Sequence, residues 1–204
     1  MQRTFTILIA IVSWFAVIAQ FILMTQNRVA SIPETIIRFF SFFTILTNTL
    51  VALFFTGRSL NLGFTFKAGA LTAVSAFIFM VGDVYQVLLR HLWHVTGLQL
   101  VVDELLHTIN PLLVILYWYL YEKKDAVKYG QIKTWIIYPL VYCLYILLRG
   151  SLAGFYAYTF VDVPTIGLQR TLLNCGLLMV FFILVAILFV AMGKKMSPKN
   201  HVPA

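Results

Sequence analysis

The chain has 204 residues, of which 61% are hydrophobic and only 11% charged, with a mean hydropathy of +0.92. Soluble domains carry about 25% charged residues, so this composition excludes a soluble globular domain and describes an integral membrane protein of one domain. The net charge of +8 would point to nucleic acid in a soluble protein; here the bias of Lys and Arg toward cytoplasmic loops accounts for it, and no nucleic-acid partner is expected.

A helical span needs about 20 apolar residues. In chain order such stretches lie near 4–25, 35–57, 66–90, 101–121, 132–150 and 170–193. The first follows Met1-Gln2-Arg3, is longer than a signal-peptide core and lacks a small-residue cleavage site, so it reads as a spanning helix. Polar connections separate the spans: Gln26 to Glu34 with Pro33, Gly57 to Gly63, His91 to Leu100, Glu122 to Lys133, and an aromatic stretch from Phe155 to Gln169. The expected fold is all-α: a polytopic membrane protein with six transmembrane helices. Of the 15 Lys and Arg residues, Arg3, Arg58, Lys67, Lys123, Lys124, Lys128, Lys133, Lys194, Lys195 and Lys199 fall on one side. Arg28, Arg38, Arg90, Arg149 and Arg170 fall on the other or in the membrane. The richer side holds both termini, so both are expected to be cytoplasmic.

The spans are not uniformly apolar. Thr44, Asp83, His107, Arg149 and Asn174 lie in or at the mouths of five different spans. When the spans are threaded alternately through a bilayer, all five land in the same half. Thr44 lies ~13 Å, Asp83 ~10 Å and His107 ~9 Å from the outer ends of their helices, at 1.5 Å per residue. Ionisable groups in hydrocarbon are costly enough to be functional hypotheses, and a cluster at one depth reads as a site.

In span two, Ser41, Thr44, Thr47 and Asn48 form one stripe, which serves equally as glue between membrane helices. In span three, Asp83 needs a partner, for which Arg38 or Arg149 is available; a structural ion pair is the plain alternative. In span four, Asp103 and Glu104 stand one turn before His107. A carboxylate there could hold one imidazole nitrogen and raise the basicity of the other, while Pro111 leaves the His107 carbonyl without its usual helical donor. In span five, Tyr138, Tyr142, Tyr145 and Arg149 form a stripe that could donate to an oxyanion or hold a carboxylate, or serve as an interface belt with a snorkelling Arg. Cys143 and Cys175 lie mid-span and read as small buried hydrophobes. Neither a metal-ligand pattern nor a Gly-x-Ser-x-Gly or phosphate-binding loop is present, and His91, His94 and His201 do not form paired haem ligands. No metal or cofactor is expected.

Phe42-Phe43-Thr44, His107-Thr108 with Pro111, Tyr138-Pro139 with Arg149-Gly150, and Gly154-Phe-Tyr156-Ala-Tyr158-Thr-Phe160-Val-Asp162 together resemble a family. It is that of the small multispan proteins related to androgen-induced gene product and androgen-dependent tissue-factor-pathway-inhibitor-regulating protein, and in particular its bacterial six-span branch. The resemblance covers roughly residues 35–165. It implies hydrolysis of fatty acid esters of hydroxy fatty acids, with Thr44 as nucleophile, His107 as base and a location in the bacterial inner membrane.

The combined expectation is an intramembrane threonine hydrolase for lipid acyl esters. Asn48, Asn174, Tyr142 or Tyr145 would be oxyanion donors, and Asp83, Asp103 or Glu104 would orient His107. Arg38, Arg149, Tyr156 and Tyr158 would bind substrate. A non-enzymatic carrier or binding protein for a lipid or small acid, using Asp83 and Arg149, is the alternative.

Overall fold

The structure, a computed structural model, describes residues 1–92 and 95–197. His94, His201 and Lys199 lie outside the described residues. Among those described there are helices and no strand: α1 (Gln2–Gln26), α2 (Ile32–Phe39), α3 (Phe43–Ser59), α4 (Ala70–Val84), α5 (Gly97–Glu104), α6 (Asn110–Tyr121), α7 (Ile132–Trp135), α8 (Ile137–Ala153), α9 (Val163–Ile166) and α10 (Leu168–Met196).

Helix α4 is the axis of the bundle. Its residues from Leu71 to Phe77 are all buried, and Ile78, Met80, Val81 and Gly82 follow. In the apolar 18-residue stretch of its span 67% of the residues are buried, against 17% for that of the span containing α8. The outer helices present aliphatic side chains outward, as Leu144, Leu148 and Leu152 do on α8. That face would be an aggregation hazard in water and is the ordinary state in lipid. Five stretches are long and apolar enough to cross a membrane: Gln2–Gln26, Ala70–Leu92, Gly97–Tyr121, Tyr129–Ala153 and Leu168–Met196. They overlie five of the expected spans.

Span two departs from expectation. It is a bent pair, α2 and α3, meeting at 74°, and would make a sixth crossing if the pair were one span. No Gly or Pro marks the break at Phe40-Ser41-Phe42. Tertiary contacts supply the cause. The Tyr142 hydroxyl donates to the Ser41 carbonyl at 3.0 Å, while the Ile45 amide donates instead to the Phe42 carbonyl. Ser41 Oγ returns a bond to the Ile37 carbonyl at 2.8 Å. Tyrosines from α8 thus satisfy what the broken ladder leaves open, a condition for irregular backbone at membrane depth.

Two further helices widen at a common level. π-Helical turns occupy Tyr85–Leu89 after α4 and Leu105–Ile109 between α5 and α6. In the second, Pro111 withholds its amide from the ladder. Such turns recur at functional sites. Here α4 and α6 approach closely because of Gly82: a Cβ on it would stand 3.1 Å from the His107 carbonyl oxygen and 3.2 Å from Pro111 Cβ.

The start of α1 and the end of α10 share one end of the bundle. Gln2 donates to the Tyr117 hydroxyl at 3.2 Å, and a Cβ on Gly193 would lie 3.4 Å from Lys124 Cβ. Tyr117 and Lys124 both belong to the last turn of α6 and the loop after it.

Candidate functional site

The helix break sets the position of Thr44. It falls in the first turn of α3, where backbone amides have no intrahelical acceptor. The Thr44 amide points instead at the Tyr158 hydroxyl, 3.4 Å away, and Thr44 Oγ1 lies 3.5 Å from the same hydroxyl. The first-turn amides and the positive end of the α3 dipole therefore lie on the side of the threonine hydroxyl.

His107 arrives from the π-turn ahead of α6. Its Nε2 lies 3.3 Å from Thr44 Oγ1. Its Nδ1 lies 2.9 Å from the Asp103 carbonyl and 3.2 Å from Asp103 Oδ1. With the proton on Nδ1, donated to Asp103, Nε2 is left as an acceptor facing the threonine hydroxyl. The His107 and Asp103 side chains retain only 11% and 13% of their exposure, so the pair works in a largely desolvated place. Tyr85 completes the assembly. Its hydroxyl donates to Asp103 Oδ2, and its ring stacks on the imidazole with centroids 3.9 Å apart and planes 12° from parallel. Asn48 ties the two halves together. Its Nδ2 donates to the Thr44 carbonyl at 2.9 Å and the Leu106 carbonyl at 3.1 Å, and its Oδ1 accepts from Asn110 at 2.9 Å.

Thr44 stands in the wall between two cavities. One, of about 330 Å³, holds Asp103, His107, Tyr85, Gln20, Gln99 and Phe42 on its lining. The other is narrower, about 60 Å³, and is lined by apolar side chains such as Met80, Val84, Ile146 and Leu178, with Cys143 and Cys175. Both cysteines are free thiols. Thr44, Leu89 and Tyr158 line both cavities. An acyl compound with its carbonyl at Thr44 would therefore have one space to each side.

Several residues expected at the site lie elsewhere. Asp83 pairs with neither Arg38 nor Arg149. It is half-buried and makes no hydrogen bond or ion pair among the described residues. Both arginines converge on Glu34 Oε1 instead, Arg38 Nε at 2.8 Å and Arg149 Nη2 at 2.6 Å. The Phe155 ring lies under both guanidinium groups, 4.6 and 5.5 Å away. Glu104 faces away from the imidazole, accepting from Arg90 and Thr108, so of the three expected carboxylates Asp103 is the one that meets His107. Asn48 has no amide hydrogen to spare for an oxyanion, and Asn174, which donates to the Phe160 carbonyl at 2.8 Å, lines neither cavity. Tyr145 reaches only Ser41 Oγ, at 3.2 Å. Tyr142 donates to the Ser41 carbonyl, which leaves Tyr158 as the tyrosine beside the Thr44 hydroxyl. Tyr156 fills the notch left by Gly150, where a Cβ would meet its ring at 2.0 Å.

Sequence reading overlooked Tyr85 and Glu34. Glu34 had a usable signal, the i,i+4 spacing to Arg38. Tyr85 had none, because its stacking partner comes from another helix.

The described residues include no group of three His, Cys, Asp or Glu side chains placed to hold a metal ion. Comparisons with protein-family models, with curated proteins and with solved structures return no match for this chain.

Proposed function

We propose that the chain is an intramembrane threonine-dependent lipid ester hydrolase, acting on fatty acid esters of hydroxy fatty acids or related acyl esters. The observation that carries this reading is the buried relay Thr44–His107–Asp103, with Nε2 at 3.3 Å from the hydroxyl and Nδ1 committed to Asp103. A threonine hydroxyl becomes a competent nucleophile only with a base in hydrogen-bond reach whose other nitrogen is held.

In the proposed reaction His107 Nε2 takes the Thr44 proton as Oγ1 attacks the ester carbonyl carbon. The tetrahedral oxyanion is met by the Phe43 and Thr44 amides and the Tyr158 hydroxyl. The C–O bond to the alcohol then breaks, and the departing oxygen takes the proton back from His107. An acyl-threonine remains. Water, deprotonated by the same imidazole, attacks its carbonyl and releases the acid, restoring Thr44. The apolar cavity suits one hydrocarbon arm and the larger, partly polar cavity the other. Arg149, whose buried Nε has no partner, shares one carboxylate with Arg38 and so has charge available for an acidic end of the substrate. The resemblance of Phe42-Phe43-Thr44 and His107-Thr108 to the hydrolase family points the same way. Six crossings, with the α2–α3 pair as one bent span and both termini cytoplasmic, in a bacterial inner membrane, complete the proposal. The supports are the end shared by the start of α1 and the end of α10 and the concentration of Lys and Arg there.

The test is hydrolysis by protein purified in detergent, with a fatty acid ester of a hydroxy fatty acid and with a p-nitrophenyl acyl ester. Wild type is compared with Thr44→Ala and His107→Ala after their unfolding temperatures are matched. Turnover that disappears in both variants supports the relay. Turnover equal in wild type and variants, or none in wild type, rejects it for these esters.

A further inference from the structure

A third cavity, of about 500 Å³, opens at the opposite end of the bundle. The run along α3 from Thr44 to Arg58 is about 21 Å at 1.5 Å per residue, so this space is separate from the relay. It is bounded by the start of α1, the end of α3, the 63–68 turn and the loop after α6. Its charged lining is Arg58, Lys67 and Lys123 against the single acid Glu122.

The cations are not spent on partners. Among the described residues, none of the three lies within 4.0 Å of a carboxylate oxygen. The Arg58 guanidinium is held against Phe66, Tyr117 and Phe54, with ring centroids 4.8, 5.4 and 5.8 Å away. Its one hydrogen bond runs from Nη1 to the Thr65 carbonyl at 3.3 Å, and its Nε is buried with no partner. A guanidinium carries five donors in a rigid fork suited to phosphate, so a held, underused Arg58 beside two lysines is an anion-binding arrangement. Glu122 is turned aside: it accepts from Thr72 at 3.2 Å, and Thr72 accepts from Trp118 at 3.0 Å. Exposed Phe66 lines the cavity, and exposed Leu62 and Phe64 precede it in the chain, apolar side chains of the kind that sit among lipid headgroups.

We propose that this cavity binds a phosphate-bearing anion through Arg58, Lys67 and Lys123. The same chemistry is offered by the headgroup of an anionic phospholipid and by a free organic phosphate. Glu122 gives the site a pH response. Burial pushes its carboxyl above the ordinary carboxylate range, against the Thr72 hydrogen bond and the Arg58 charge. As pH falls through that raised range Glu122 is neutralised. The cavity, facing Arg58, Lys67, Lys123 and nearby Lys124, then gains positive charge.

The experiment is native mass spectrometry and thermal unfolding of the full chain in a neutral detergent. The added probes are phosphatidylglycerol, phosphatidylcholine or glycerol 3-phosphate. Retention and stabilisation by phosphatidylglycerol alone identify a lipid headgroup as the source; stabilisation by glycerol 3-phosphate identifies a free phosphate; both outcomes support the site. Each lysine removed, as Lys67→Gln or Lys123→Gln, is expected to weaken binding about fivefold. Arg58→Gln is expected to weaken it more. The two lysine variants keep the test decisive if Arg58→Gln fails to fold. Glu122→Gln should tighten binding and remove its rise at lower pH. Equal binding of phosphatidylcholine and phosphatidylglycerol with no effect of glycerol 3-phosphate, or affinity unchanged in Lys67→Gln and Lys123→Gln together, overturns the proposal.

Discussion

Asp103 and Glu104 are neighbours at the end of α5, yet they belong to two different polar assemblies. Asp103 turns inward, to His107 Nδ1 and the Tyr85 hydroxyl. Glu104, about 100° further round the helix, turns outward and closes a ring. Arg90 donates to Glu104 and to Gln86, Gln86 donates to Thr108 at 2.8 Å, and Thr108 donates to Glu104 at 2.6 Å. In the outer ring each side chain named has a polar partner, and Arg90 keeps 47% of its side-chain exposure. The inner network is buried and ends on the Thr44 hydroxyl, in the first turn of α3 beside the Tyr158 hydroxyl. A polar network that closes on itself holds helices together. One that stops at a hydroxyl beside two cavities is the arrangement that the proposed proton transfer needs.

The comparison breaks most sharply at Thr44. Thr44→Val keeps the shape and removes the oxygen, so ester turnover should fall by about 10⁴ or more with an unchanged unfolding temperature, and His107→Ala should match it. A Thr44→Val enzyme retaining a tenth of wild-type turnover would assign Thr44 to packing. Asp103→Asn comes next. The amide can no longer hold Nδ1–H as a charged acceptor, and kcat is expected to drop about a hundredfold with KM little changed. Proportional changes in KM instead would place Asp103 in substrate binding. Tyr85→Phe preserves the ring stacked on the imidazole and deletes only the hydrogen bond to Asp103. A loss of about tenfold in kcat is expected, and wild-type kinetics would reduce Tyr85 to a packing ring.

Some of this arrangement is legible in the sequence because it depends on depth and periodicity alone. Thr44 and His107 occupy one level of the bilayer when their spans are threaded alternately, and a carboxylate four residues before His107 lies on its face. The apolar runs locate the long helices for the same reason. What long-range contacts decide is hidden. The α2–α3 break has no local breaker and exists because Tyr142 and Tyr145 come from α8 to Ser41. That break converts Thr44 from a mid-helix residue into one at a helix N-terminus, where first-turn amides adjoin it in place of the expected Asn48 and Asn174 side chains. Asp83 draws the eye as a charge in a span, but charge alone does not say which face it occupies. Its expected arginines are taken by Glu34, a residue outside the expected spans.

The outer ring yields the smallest effect and the most discriminating one. Glu104→Gln removes a partly exposed ion pair with Arg90, and such pairs contribute about 0–1 kcal/mol to stability. Gln keeps an acceptor for Thr108 and for Arg90, so the ring can remain closed. Turnover within about threefold of wild type is expected, together with a small fall in unfolding temperature that shrinks further at high salt, where exposed pairs are screened. Asp103→Asn removes the same charge one residue earlier in the chain. If both substitutions lowered kcat alike, the field of the acidic pair would govern His107 rather than one oriented hydrogen bond, and the inward and outward assemblies would be a single electrostatic unit. A large loss for Asp103→Asn beside near-wild-type Glu104→Gln requires orientation, because the two variants differ chiefly in which side of α5 has lost its carboxylate.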